Sequence, residues 1–543
     1  MINQQKVEKL IRRFEKLKSE RVNWDTSCQE IAKFCLPKMA QFTDTLTEGQ
    51  KFDTTVYNSV ASEAINIMAS GLYSYAINPA TQWIQISQDE LIEKQFPESK
   101  ELCYVISQLI STEFLNSNFY DEAFASLLSY STFEMLCNYT EDKITEIRFQ
   151  SVPINQVYFT ETADGKLNSI YRLYMLTVEQ IYDEFGDKSG NTVLAKYKAG
   201  DYDVQLPILT CCEYRSVKNE SKSDKLNMPI AEYWINKQDK TLMEEGGYKE
   251  MPYQLARGKR RAGHKYPFSS AGIALADIKM LNSMDFSLIV GSQKALDPTL
   301  LINAGTEEFE NPFRNLPGYI NYINTTNPNF TSRRILETVP VGNLPIGIEM
   351  LDRKEARIKS ILLVDMFLAM LSKQKQMTAT EVVQLTQEKQ FILAPFINSI
   401  NSYFLDPTIE RVFNILYRRG SLPSLPDWFM SYKINYVSPL ALAAKLTQTR
   451  GINEYLSSVE RMSQIQLAQA PVTDNIDFDK MNSLVADINN IKPSLIKNLQ
   501  EVQRTRAQIQ QLQQQQQILQ MAQQGAGAYK DAMQGEQAIA KAF

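Results

Sequence analysis

Two runs decide how this chain is read: AGIALADIKMLNSMDFSLIVGSQKALDP at residues 271–298 and IEMLDRKEARIKSILLVDMFLAML at residues 348–371. Apolar positions recur through both at helical spacing, and Asp297-Pro298 ends the first because proline cannot continue a helix. The predicted helices, about 271–296 and 348–371, are each roughly 35–39 Å long at 1.5 Å per residue. That exceeds an average domain helix and implies a stalk. The segment between them, about 299–340, is strand-like and rich in Asn, Pro and Thr. Beyond them lies a polar link, Ser372-Lys373-Gln374-Lys375-Gln376-Met377, and then Thr378-Ala379-Thr380-Glu381, which fits a capping box and so starts a new helix. Pro395 is expected to kink that helix. Asp406-Pro407 gives another start, and Arg418-Arg419-Gly420 with Pro423 gives a stop.

Working outward, Val7, Leu10, Ile11, Phe14 and Leu17, followed by Trp24, Cys28, Ile31 and Cys35, predict an amphipathic helix stopped by Leu36-Pro37. Further helices are predicted at about 57–77, 101–118 and 121–139, with a strand-like Trp83-Ile84-Gln85-Ile86 between the first two. From Ile144 to about Lys249 the period shifts to alternation broken by Asp-Gly, Gly-Asn and Gly-Gly turns, which predicts a β-rich region with one short helix near 178–185. Ser438-Pro439 opens a helix reaching about Ala470. The last helix, from Ser494, passes into a segment with thirteen glutamines between Gln500 and Gln524, and the tail beyond Gly525 is expected to be disordered. The fold class is therefore α+β, predominantly helical.

The 543 residues carry 57 Lys+Arg against 62 Asp+Glu, a net charge of −5, so no global basic excess holds nucleic acid. A single histidine, His264, excludes Ser-His-Asp and His-rich zinc chemistry. The six cysteines lie within the first 212 residues without C-x-x-C spacing and read as reduced thiols of a cytosol-assembled protein. Gly342-Asn343-Leu344-Pro345-Ile346-Gly347 has the glycines of a P-loop but continues Ile348-Glu349 where Lys-Ser/Thr is needed. Asp474, Asp477 and Asp479 lack the spacing of a calcium loop. No motif asks for a cofactor or a metal. The N-terminus has no signal-peptide pattern, and the longest apolar stretch, Ile361 to Leu371, is too short for a bilayer. The chain is expected to be soluble. One local concentration of charge stands out: Arg257, Lys259, Arg260, Arg261 and Lys265, with no acid among them, either grips phosphate or a partner's acidic face or is paired within the chain.

The ordered set of segments resembles the portal, or head-to-tail connector, proteins of short-tailed bacteriophages. The resemblance is carried by RRFEKLKSERVNWDTSCQEIAKFCLP, FDTTVYNSVASEAINIMASGLYSYAINPATQWIQI, ALADIKMLN, MTATEVVQLTQEKQ, LDPTIERVFNILYRRGSLP and VSPLALAAKL with PVTDNIDFD, in this order over roughly 1–525. It departs at Ala262–Phe268, where the family usually has a Gly-Glu-x-Tyr-Gly-Arg run. The resemblance implies a portal fold: 1–140 the N-terminal helical part of a wing, 141–256 its β-rich region, 257–371 stem helices with a clip-like segment 297–347, 372–377 a channel loop, 378–440 a wing-to-crown region, 441–524 a helical crown, and 525–543 a tail. It implies a ring of about twelve copies at one capsid vertex, a conduit for double-stranded DNA, with no enzyme activity and no membrane. Lys373 and Lys375 would face DNA. Partners would be the major capsid and scaffolding proteins, the terminase and then the tail adaptor, in a virion assembled in the host cytoplasm. Another virion component, such as an ejection protein or a tail adaptor, is the competing reading.

Charge bears on the conduit. Duplex DNA presents about 20 phosphates along roughly 35 Å, and each one neutralised adds to a steep, salt-dependent affinity. A lysine-studded wall would trap it. The two long helices balance Asp277, Asp285, Glu349, Asp352, Glu355 and Asp365 against Lys279, Lys294, Arg353, Lys354, Arg357 and Lys359.

Overall fold

A computed structural model of the chain describes residues 2–44, 56–96, 98–143, 145–215, 224–297, 300–302, 336–338, 344–371, 391–429, 432–437, 452, 455–457, 477–488 and 502–516. In chain order these form helices α1 (Ile2–Cys35) and α2 (Val60–Ala76), strand β1 (Ile84–Ser87), and helices α3 (Glu90–Gln95), α4 (Glu98–Asn116) and α5 (Phe119–Phe133). Strands β2 (Met135–Asp142), β3 (Ile147–Ser151), β4 (Val157–Glu161) and β5 (Leu167–Thr177) follow, then helices α6 (Val178–Phe185) and α7 (Asn191–Ala199). After strands β6 (Gln205–Tyr214), β7 (Ile230–Asn236), β8 (Thr241–Tyr248) and β9 (Tyr253–Arg257) comes the long helix α8 (Ser270–Leu296). The remainder holds β10 (Leu300–Ile302), β11 (Leu336–Thr338), α9 (Leu344–Ile361), α10 (Val364–Leu371), α11 (391–400), α12 (Asp406–Arg418), β12 (Lys433–Tyr436) and helices at Phe478–Ile488 and 502–516.

The described residues divide into two units, one formed by residues up to Pro79 with Glu113–Arg418, the other by Ala80–Thr112 with those from Arg419 onward. In the first, β4-β5-β6-β7-β8 make a five-stranded antiparallel sheet and β3-β2-β9 a three-stranded one. Helix α1 lies on the larger sheet. Its residues Val7, Leu10, Phe14 and Leu17, spaced three and four apart, bury against Tyr158, Tyr171, Leu209, Cys211, Tyr233 and Ile235. Alternation along β6 sends Cys211 into that cluster and Cys212 into the core on the other side, which is why the vicinal pair stays unbridged. All six cysteines are free and buried. The second core gathers α1, α2, α5, the smaller sheet, α8 and α9. In the second unit β1 pairs antiparallel with β12, Ile84 opposite Tyr436, and Trp83 stacks on Tyr436 with ring centroids 6.4 Å apart. Ser107 on α4 accepts from the Ile86 amide at 2.8 Å.

Several predicted elements differ from what is found. The helix expected over 121–139 ends at Phe133, and β2 begins two residues later. Glu134, with φ at 52°, turns the chain, and Met135–Asn138 are buried between β3 and β9, so tertiary burial overrides a helical spacing. The β-rich region contains a second helix, α7, as well as the expected α6, which starts on a capping box formed by Thr177 and Gln180. The helix expected at 348–371 starts earlier, at Leu344, with Pro345 tolerated in its first turn, and is broken at Leu362–Leu363, where Leu363 takes φ at 59°. The turn lets Phe367 on α10 lie against Gly71 on α2, where a Cβ would sit 2.2 Å from the ring. Helix α11 runs through Pro395, and the irregularity falls instead at Asn401–Leu405, one π-helical turn. Of the strand-like 299–340, the described ends β10 and β11 pair antiparallel. The link 372–377, the capping box 378–381, the helix opening at Ser438 up to residue 451, and the tail 525–543 lie outside the described residues.

Candidate functional site

The long helix α8 starts from a buried carboxylate. Ser269 caps it, its hydroxyl accepting from the Gly272 amide at 3.0 Å. Glu134, fully buried, accepts from the Ser270 amide at 2.9 Å and from the Ser270 hydroxyl at 2.8 Å through one carboxylate oxygen. Its other oxygen accepts from the Lys259 amide at 2.9 Å, and its backbone carbonyl accepts from Gly258 at 2.7 Å. An anion at a helix N-terminus is favourably placed. One side chain thus fixes the end of α5, the end of β9 and the start of α8. The sequence reading missed it, and the available signal was a lone acid inside Phe133-Glu134-Met135-Leu136-Cys137.

The basic run leads into that junction, and each of its five cations has a partner within the chain. Arg257 is buried, 2.6 Å from Glu161, donates to the Lys265 carbonyl at 3.0 Å and lies 4.8 Å from the Phe159 ring centroid. Arg260 shares Glu161 at 3.2 Å. Lys259 donates to Ser270 Oγ at 3.2 Å, Lys265 pairs with Glu20 at 3.4 Å, and Arg261 sits 4.5 Å over the Phe268 ring. Lys259, Arg260 and Arg261 are exposed and Lys265 half-buried; the Lys265–Glu20 pair, open to solvent on both sides, holds by less than about 1 kcal/mol and can exchange partners. Arg257 cannot. Lys373 and Lys375 lie outside the described residues.

Helices α8 and α9 pack antiparallel: Gly347 faces Leu288, while Asp277 pairs with Lys354 at 2.7 Å and Arg357 at 3.0 Å. Ala274, Ile278 and Leu281 share a core with Leu351 and Ile358. Most of the other charges have partners close by. Glu349 pairs with Arg353 at 2.6 Å and Glu355 with Lys359 at 3.5 Å, Lys279 pairs with Glu30 of α1, and Asn58 donates to Asp285. No line of unpaired cations runs along the described residues of this pair.

A second buried network ties α12 to both sheets. Arg411 donates to the Thr140 carbonyl and to the Glu250 carbonyl, each at 3.0 Å, and Arg418 pairs with Glu250 at 2.8 Å. Tyr139 and Tyr248 share a hydrogen bond of 2.9 Å, and Tyr248 donates to Glu232 at 2.9 Å. Burial pushes the Glu232 carboxyl upward and the Arg411 guanidinium downward from their ordinary ranges. Among the described residues no group of three His, Cys, Asp or Glu side chains is placed to hold a metal, and no helix is long and apolar enough to cross a membrane.

Set beside known proteins, residues 7–496 match the family described as bacteriophage head to tail connecting protein. The chain is 24% identical over 534 residues to a portal protein of Salmonella phage epsilon15, covering 96% of this chain and 94% of that one. It is 25% identical over 506 residues to a probable portal protein of Bordetella phage BPP-1, covering 90% and 88%. The match takes in α1, both sheets, the paired helices α8 and α9, and α12. With nearly its whole length aligned to one family, the chain belongs to the bacteriophage head to tail connecting proteins.

Proposed function

We propose that this chain is the portal of its phage: a ring of about twelve copies at one capsid vertex, through which double-stranded DNA is packaged and later ejected. It acts as a structural conduit that makes and breaks no covalent bond. The observation that carries this reading is the family match across residues 7–496, and the charge pattern of α8 and α9 supports it. A passage for DNA works only if phosphates meet no continuous row of cations, and in these helices Lys354, Arg357, Arg353 and Lys359 each pair with a carboxylate of the same helix pair.

In this reading α8 and 348–371 form the stem with 297–347 as the clip-like end, 141–256 with the helical 1–140 forms the wing, 378–440 leads to a crown at 441–524, and 525–543 is a tail. Residues 372–377 form the channel loop, where Lys373 and Lys375, repeated around the ring, make a thin positive collar that touches DNA backbone without reading bases. Screening over about 8 Å keeps that contact local. Lys259, Arg260, Arg261 and Lys265, at the entry to α8, offer a basic face to an acidic partner, with Arg257 fixed beneath them. The terminase would dock during packaging and the tail adaptor afterwards, with the major capsid and scaffolding proteins around the ring, in a particle assembled in the host cytoplasm.

Heads assembled in a phage lacking this chain should contain no genome, and supplying the chain should restore packaging. The double substitution Lys373→Ala/Lys375→Ala should leave rings intact while lowering packaging or retention of DNA. Full heads without the chain would overturn the function, and unaltered packaging and retention in the double variant would overturn the role of the two lysines.

A further inference from the structure

Helices α2 and α5 leave a cavity of about 320 Å³ between them, lined by Ser70, Tyr73, Ser74, Tyr120, Asp121 and Phe124. Helical spacing builds it. On α2, Ser70, Tyr73 and Ser74 fall within one turn of each other on a shared face, and on α5 Tyr120 and Asp121 precede Phe124 by one turn. Tyr73 and Phe124 meet edge to face, with ring centroids 5.7 Å apart and planes at 86°, so the two rings form a corner. The three aromatic residues are half-buried, while Ser70, Ser74 and Asp121 are exposed at the opening.

The walls favour one sign of charge. Aromatic faces are the negative side of the ring quadrupole and attract organic cations. Asp121 adds a full negative charge and takes part in no ion pair among the described residues. Helix α2 ends beside the cavity with no base in its last turn, so the partial negative charge of its C-terminal carbonyls is uncompensated there. Burial, with Tyr120 and Asp121 close by, raises the Tyr73 phenol above its ordinary range, which keeps that wall neutral. The hydroxyls then choose among cations. A primary ammonium carries three N–H donors, and the Asp121 carboxylate with the Ser70 and Ser74 hydroxyls supplies three acceptors. Its alkyl stem can lie along the rings. A quaternary ammonium would leave the hydroxyls unused, and a small inorganic ion would leave the rings uncovered.

We propose that the cavity between α2 and α5 is a binding site for a primary alkylammonium group, with Asp121 as counter-ion, Ser70 and Ser74 as acceptors, and Tyr73, Tyr120 and Phe124 around its stem. The group comes from a free alkylamine or from the lysine side chain of another protein. This assignment does not depend on the ring reading.

Saturation-transfer NMR on the purified full-length chain, with butylamine as probe, tests it. Butylamine should bind saturably and more weakly as salt rises, and butanol, the uncharged analogue, should bind at least about tenfold more weakly. Asp121→Asn should lower the butylamine affinity at least about tenfold, and Ser70→Ala/Ser74→Ala about threefold or more, with helical circular dichroism unchanged. The serine positions are exposed, so that double variant keeps the test open should Asp121→Asn lose its helical signal. Nα-acetyl-lysine N-methylamide separates the two sources: an affinity at least about tenfold above that of butylamine assigns the site to a protein lysine, and an equal or lower one assigns it to free amines. Absence of saturable butylamine binding overturns the proposal. So does butanol or tetramethylammonium binding as tightly as butylamine, or an affinity that neither folded variant changes.

Discussion

Helices α1 and α8 are the two longest of the described residues, and they end their polar sides differently. Helix α1 buries Val7, Leu10, Phe14 and Leu17 on a sheet and turns Glu8, Lys9, Arg12, Lys16 and Lys18 to solvent. Its neighbour is inside the chain, so its other face is charged. Helix α8 buries one stripe and leaves Ile273, Met280, Phe286 and Ile289 exposed. The difference separates a helix whose outward side is charged from one whose outward side keeps large apolar residues.

The contrast breaks most visibly at Arg21 on α1. Arg21 is buried, donates to Asp25 at 3.1 Å, to the carbonyls of Ile154 at 3.1 Å and Asn155 at 2.8 Å and to that of Val157, and lies 3.8 Å from the Tyr158 ring centroid. Arg21→Ala strands a carboxylate and three carbonyls, and urea unfolding should show a loss of about 3–5 kcal/mol. The same experiment on the chain carrying Met280→Ala should show less than about 1 kcal/mol, because that side chain is exposed and loses little buried area. Equal losses would erase the distinction between the two helices.

A smaller effect is expected at Gly71, against which Phe367 packs. Gly71→Ala should cost about 1–3 kcal/mol by overpacking, and combining it with Phe367→Ala should cost less than the sum of the two single changes. Strict additivity would mean that α10 does not rest there.

Proton linkage at Glu232 follows, on the sheet that α1 covers. Its carboxyl is raised above the ordinary value of 4.5 by burial, so the folded chain holds a proton that the unfolded chain has released. That contribution is complete below about pH 4.5 and is lost as pH rises through the folded value. Glu232→Gln, which keeps an acceptor for Tyr248, should flatten this slope and leave thermal stability at pH 8 equal or higher. Lower stability at pH 8 with the slope retained would contradict the assignment. The smallest effect belongs to the exposed pair Glu349–Arg353, where Glu349→Gln should change stability by about 0.5 kcal/mol or less.

Much of this was legible in the residues. Spacing marked the buried side of α1, Asp297-Pro298 marked the end of α8, and the short helix read near 178–185 is α6. What stayed hidden depends on distant segments. The partner of β1 lies about 350 residues away in the chain, with Asn435 donating to Ser87 at 2.9 Å across 348 positions. Met135–Asn138 have the spacing of a helix and become a strand because two others flank them. The break at Leu363 is set by where α2 offers a glycine. At the candidate site, the basic run was visible as charge, whereas its partners Glu20, Glu134 and Glu161 come from three remote segments. Lys373 and Lys375 draw their assignment from family resemblance alone, since two lysines in a polar link carry no chemistry by themselves.

Electron microscopy of the purified full-length chain addresses assembly directly. Closed rings of about twelve copies around an open bore are the expected result. Single compact particles at every protein concentration and salt condition would contradict it.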